Sequence, residues 1–202
     1  MTFPVLTPNT RAVDDIVSSG SLAFVKEVIV FAAASEGFSK SNTNYTVEES
    51  LDRMAATAEK ALALGLRVRG SISCVVGSPF EKGVTDPSFV RDIARRMKQA
   101  GCYNVALGDT IGVGNPGTVR ALLEEVMKDV PVEEIAIHSH DTYGGGVASV
   151  IAAVEVRSCG FCSTGRQLLT LTFRPESGSS TLLREDLVVA PVSGADECEN
   201  RS

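Results

Sequence analysis

The chain has 202 residues, 44% of them hydrophobic and 22% charged, with 18 glycines and a net charge of −6. That length buries a full core, as one large domain or two small ones, and the composition is that of an ordinary globular protein rather than a disordered one. The acidic balance argues against nucleic acid or an anionic membrane as partner, and no apolar run approaches the roughly eighteen residues of a membrane span.

The opening MTFPVLTPNT lacks both the basic and apolar regions of a secretory signal and the arginine-rich pattern of a transit peptide. Five scattered cysteines fit a reducing compartment better than a disulfide framework. From there the chain alternates short apolar runs with capped amphipathic stretches. The runs are FPVLTP, KEVIVFAAAS, RVRGSISCVVG, YNVALGDTIG and EEIAIHSHD, and their spacing, on the order of 25–40 residues, is that of βα units.

Thr46 with Glu49 forms a capping box, followed by a stripe of Leu51, Met54, Ala55, Ala58 and Leu62. Asp86-Pro87 opens a second helix with Phe89, Val90, Ile93, Ala94 and Met97 inward and Gly101 at its end. Asn115-Pro116 opens a third, striped by Val119, Leu122, Leu123, Val126 and Met127. Strands this apolar are parallel and covered by helices. Five such units belong either to a doubly wound sheet or to part of a (β/α)8 barrel, for which about 250 residues are usual.

Near Val156 the texture changes. The stretch from there to Leu183 clusters Cys, Gly, Ser, Thr and Arg, has no helical stripe and holds one expected strand, QLLTLTF. The end, APVSGADECENRS, reads as a disordered tail. Cys159 and Cys162 form a CxxC with neither the strand–helix context of a redox site nor the second pair of a zinc site, so chance accounts for it. Cys74 and Cys102 read as buried structural thiols. GVGNPG lacks the Lys-Ser/Thr of a P-loop, and DTYGGG would offer a weak anion seat at the next helix start.

Both histidines of the chain lie in one tripeptide, His138-Ser139-His140. In a strand, residues two apart share a face, so the two imidazoles form a bidentate site for a divalent cation at the strand's C-terminal end. The plainer alternative is two polar residues marking where the strand leaves the core. On the preceding run Val105, Leu107 and Asp109 share a parity, which would bring the Asp109 carboxylate beside the histidine pair, where parallel α/β folds build their sites. The alternative for Asp109 is a turn or cap aspartate.

TPN (Thr7 to Asn9), VIVFAAASEGFSKSN (Val28 to Asn42), GCYNVALGDTIGVGNPG (Gly101 to Gly117) and HSHDTYG (His138 to Gly144) together resemble the 3-hydroxy-3-methylglutaryl-CoA lyases. These belong to the metal-dependent (β/α)8 lyases and aldol-condensing enzymes. The resemblance runs over residues 2 to 156. It implies a partial (β/α)8 TIM barrel of about five units, family strands three to seven, over residues 1–156, with an aberrant or weakly ordered segment over 157–202.

It further implies retro-aldol cleavage of an acyl-CoA substrate to acetyl-CoA and acetoacetate, using Mg2+ or Mn2+. His138 and His140 would ligate the ion, His138 and Asp109 would take part in catalysis, and Thr110 and Asn9 would lie by the substrate. A homodimer is expected as in the family, with no nucleic-acid or membrane partner. The location implied is the mitochondrial matrix, without a transit peptide here, or the cytoplasm in a bacterial setting.

The family's RDG motif, the glutamate of its second strand, the GGCPYA loop with its catalytic cysteine and the asparagine completing the metal shell have no counterpart here. REDLV (Arg184 to Val188) resembles the family segment just after that asparagine, so a frame shift or altered splicing over Val156 to Leu183 is expected. The same reading expects two open sheet edges and little or no activity. Two alternatives stand beside it: a related condensing enzyme acting on an oxo acid, and a non-catalytic truncated product.

Overall fold

The computed structural model describes residues 3–159, 169–175 and 185–191, with side chains over 3–156. Five strands come first: β1 (Phe3–Leu6), β2 (Val25–Ala33), β3 (Arg67–Ser73), β4 (Asn104–Asp109) and β5 (Ile135–His140). Each pairs in parallel with the next in sequence. An order without reversal has no topological switch point, which separates a singly wound barrel from a doubly wound sheet. The five parallel strands and their helices are half of a (β/α)8 barrel.

The helices are α1 (Thr10–Ser18), α2 (Glu36–Thr43), α3 (Val47–Ala63), α4 (Pro87–Gln99), α5 (Pro116–Val126) and α6 (Gly146–Cys159). The expected starts hold for α3, α4 and α5: the Thr46–Glu49 capping box, Asp86 before Pro87, and Asn115 before Pro116. The helices α1 and α2 are additions to those the sequence pattern announces. Both are short and begin on polar caps, Asn9 accepting from the Ala12 N–H and Ser35 from the Phe38 N–H.

Alternate strand residues such as Val28, Val68, Ile72 and Leu107 pack against Met54, Ile93, Met97 and Leu122 from the helices. Two stripe residues depart from the inward placement expected of them. Leu62 is 41% exposed, its contact being with the bare Cα of Gly101, where a Cβ would sit 2.5 Å from Leu62 Cδ1. Phe89 is 40% exposed and lines a surface cleft with Ala34, Ser78 and Val84.

Beyond 156, α6 continues to Cys159, the expected strand is β6 (Leu169–Pro175), and a further strand, β7 (Glu185–Pro191), comes after it. β7 lies antiparallel between β5 and β6. The side of β5 expected to be an open edge is therefore paired, and the sheet ends instead at β1 and β6. Cys162 and the expected disordered end beyond Pro191 lie outside the described residues.

Candidate active site at the C-terminal ends of β4 and β5

Parallel strands put their C-terminal ends at one mouth, so the residues that finish β4 and β5 meet by construction. His138 and His140 end β5 on one face, with ring centroids 4.9 Å apart and planes inclined by 40°. His138 stands opposite Gly108 in the register with β4, so no neighbouring side chain springs from that position beside its ring.

His140 Nδ1 lies 2.6 Å from the main-chain carbonyl oxygen of Asp109. A carbonyl only accepts, so the ring nitrogen in this bond carries the proton, and in the neutral ring the lone pair is on Nε2. The pair thus has the donor chemistry of a two-nitrogen seat for a divalent cation. Among the described residues no group of three or more His, Cys, Asp or Glu side chains is placed to hold an ion.

Asp109 is at the mouth on the neighbouring strand, but its side chain takes the other face. Its register partner is Ser139, not a histidine, and paired residues of a parallel ladder point the same way. The expectation that the carboxylate lies with the imidazoles is corrected by that one-residue offset. The carboxylate is 4% exposed and works on its own loop, Oδ2 accepting from the Gly114 N–H at 2.7 Å and Oδ1 from the Val113 N–H at 3.2 Å. What reaches the histidine is the Asp109 backbone.

Thr110 turns its hydroxyl to β3. Its Oγ1 accepts from the Cys74 N–H at 2.7 Å, and Cys74 has a left-handed backbone, φ 62°. Thr85 Oγ1 donates to the Cys74 carbonyl at 2.7 Å. Burial pushes the Cys74 thiol up, against the hydroxyls of Thr110 and Ser78. Burial alone raises Cys102 to about 12. Both thiols are fully enclosed, as the sequence suggests.

Asn9 lies just after β1, at the same mouth but on the far side of the sheet from β5, and its side chain caps α1. The structure therefore gathers Asp109, Thr110, His138 and His140, and leaves Asn9 apart. The anion seat suggested for DTYGGG is filled from within, since Asp141 Oδ1 accepts from the Gly146 N–H at 2.7 Å where α6 begins.

One cluster at the mouth has no signature in the sequence. Ser35 Oγ donates to Glu81 Oε2 at 2.5 Å and lies 2.9 Å from Ser78 Oγ, while Glu81 Oε1 accepts from the Gly37 N–H at 2.8 Å. These bonds, that of Ser35 foremost, hold the Glu81 carboxyl below its usual range. The partners are more than forty residues apart in sequence, and only the β2–β3 pairing brings them together.

Residues 3–157 match the HMGL-like family. The mitochondrial hydroxymethylglutaryl-CoA lyase of Mus musculus is 43% identical over 154 residues, 76% of this chain and 46% of that protein. The cytoplasmic 3-hydroxy-3-methylglutaryl-CoA lyase of the same species is 42% identical over 76% of this chain and 43% of that protein.

Among solved structures, the hydroxymethylglutaryl-CoA lyase of Pseudomonas aeruginosa is 47% identical with a TM-score of 0.71, covering 76% of this chain and 50% of that one. An HMG-CoA lyase of Acinetobacter baumannii, solved with coenzyme A and 3-methylmalate, is 25% identical at TM-score 0.69 and covers 77% and 49%. The chain spans about half the length of these relatives.

Proposed function

The chain belongs to the HMGL-like family, and from that premise we propose that its chemistry is the retro-aldol cleavage of 3-hydroxy-3-methylglutaryl-CoA to acetyl-CoA and acetoacetate. The observation that carries the reading is the histidine pair at the end of β5, with His140 seated against the Asp109 carbonyl at the mouth of a half-barrel. Relatives named as lyases in animals and bacteria support it over a condensing enzyme on an oxo acid. The relative solved with coenzyme A supports an acyl-CoA substrate.

In this reading His138 and His140 hold a Mg2+ or Mn2+ ion, of which imidazole suits Mn2+ better than the harder Mg2+. When bound, such an ion polarises the substrate's 3-hydroxyl and neighbouring oxygen and offsets charge as the C–C bond breaks. His138 stands by the reacting hydroxyl and helps move its proton. Asp109 sets the position of His140, and Thr110 fixes the β3 turn at the rim of the substrate space. Asn9 borders that space only at its β1 side. Residues 1–156 are taken as the barrel half and 157–202 as an aberrant or weakly ordered C-terminal segment, a division supported by the end of the family match at residue 157. A homodimer in a mitochondrial matrix or a cytoplasm completes the proposal; relatives named for each compartment support either. No helix among the described residues is long and apolar enough to cross a membrane.

Catalytic groups multiply rather than add, and losing one electrostatic donor commonly costs about a hundred- to a thousand-fold in rate. The 202-residue polypeptide, with half a metal shell among its described residues, is therefore expected to turn over 3-hydroxy-3-methylglutaryl-CoA below detection. A chimera in which residues 3–156 replace the matching segment of the Pseudomonas aeruginosa lyase tests the assignment. It is expected to release acetyl-CoA and acetoacetate, and to lose that activity on His138→Ala. A folded chimera without lyase activity would overturn the assignment, and turnover by the chain alone within tenfold of the intact relative would overturn the view that it is impaired.

A further inference from the structure

We infer that Asp109 is a positioning residue for His140: its carboxylate closes the turn after β4, and the closed turn aims the Asp109 carbonyl at His140 Nδ1, fixing the ring as one tautomer. Three features of the turn converge on this. Both carboxylate oxygens accept from main-chain N–H groups of the same turn, Val113 at 3.2 Å and Gly114 at 2.7 Å. A Cβ on Gly114 would stand 2.7 Å from Asp109 Oδ2, so a side chain there would displace the carboxylate. Gly112, at φ +67°, passes so close to the end of β5 that a Cβ would stand 2.6 Å from Thr142 Oγ1 and 2.9 Å from the His140 carbonyl oxygen. Its N–H also donates to the Asp109 carbonyl at 3.3 Å.

The carbonyl is thus gripped from its own turn and offered to the imidazole of the next strand. Because it can only accept, the bond it makes at 2.6 Å selects the Nδ1–H form and leaves the lone pair on Nε2. The same geometry weighs against Asp109 as a proton carrier. Its carboxylate is buried on the helix-packed face of β4, opposite Ser139, with both oxygens already bonded. Only the use made of the Nε2 lone pair rests on the metal-seat reading; the tautomer does not.

The chain's two histidines make the test direct. Long-range proton–nitrogen spectra of the metal-free, 15N-labelled chain, recorded about two pH units above the ordinary imidazole pKa near 6.5, separate the two tautomers of each ring, and His138→Gln assigns them. His140 is expected as a single Nδ1–H species. Asp109→Asn, whose amide oxygen still accepts from Gly114, is expected to keep it. Asp109→Ala is expected to lose it to an average of both tautomers. An Nε2–H ring in the unaltered chain overturns the inference whether or not any variant folds, as does a folded Asp109→Ala with Nδ1–H unchanged or a folded Asp109→Asn that loses the tautomer as fully as alanine. Mn2+ binding is scored separately: its absence with the tautomer intact would sink the metal seat and leave the positioning role standing.

Discussion

Two residues other than glycine have positive φ among the described residues, Asn44 and Cys74. Asn44 caps α2, a place where asparagine is at ease. Cys74 is not a residue that favours this region, and such a backbone costs on the order of 1–3 kcal/mol unless its surroundings impose it. Thr110 Oγ1 and Thr85 Oγ1 do so by binding its N–H and its carbonyl. Thr110→Val would leave a buried N–H without its acceptor, a loss of about 1–3 kcal/mol, while Thr110→Ser should recover most of it. Urea unfolding reads this as a lowered midpoint for valine alone; an unchanged midpoint would remove Thr110 from the turn. The sequence places Thr110 at the mouth but not its partner. The bond to Cys74 spans 36 residues and depends on β3–β4 register, which no local pattern encodes. The same holds for Asp109, whose strand parity is legible while the one-residue offset against β5 is not.

The elements with strong local signals are the legible ones. The starts of α3, α4 and α5 rest on cap residues that act within three positions of themselves. The five apolar runs become parallel strands because their flanking helices cover one face. The short helices α1 and α2 bury few side chains, Val13 and Ile16 from α1 and Ser39 from α2, so their pattern is easily passed over. The pairing of β7 with β5 is a long-range event that composition does not announce. It puts Val188 opposite His138 and Asp186 opposite His140, and relieves β5 of an unpaired edge. Ending the chain after Cys159 should therefore speed hydrogen exchange at those β5 amides that do not point to β4, leaving β2 and β3 amides unchanged. Equal protection in the shortened and full chains would mean that β7 does not cover this edge.

As a molecule, the chain is half of a barrel whose relatives are about twice as long as the stretch it matches. Its strands carry the histidine pair to the same mouth that barrel enzymes use. The proposed chemistry depends on that pair acting as a metal seat, and two imidazoles hold a divalent ion far less firmly than a complete shell does. Calorimetry with Mn2+ on the purified chain, beside His138→Ala and His140→Ala, decides it. Weak binding that disappears in each variant is the expected result. Tight binding that survives both substitutions, or no binding by the unaltered chain, would contradict it.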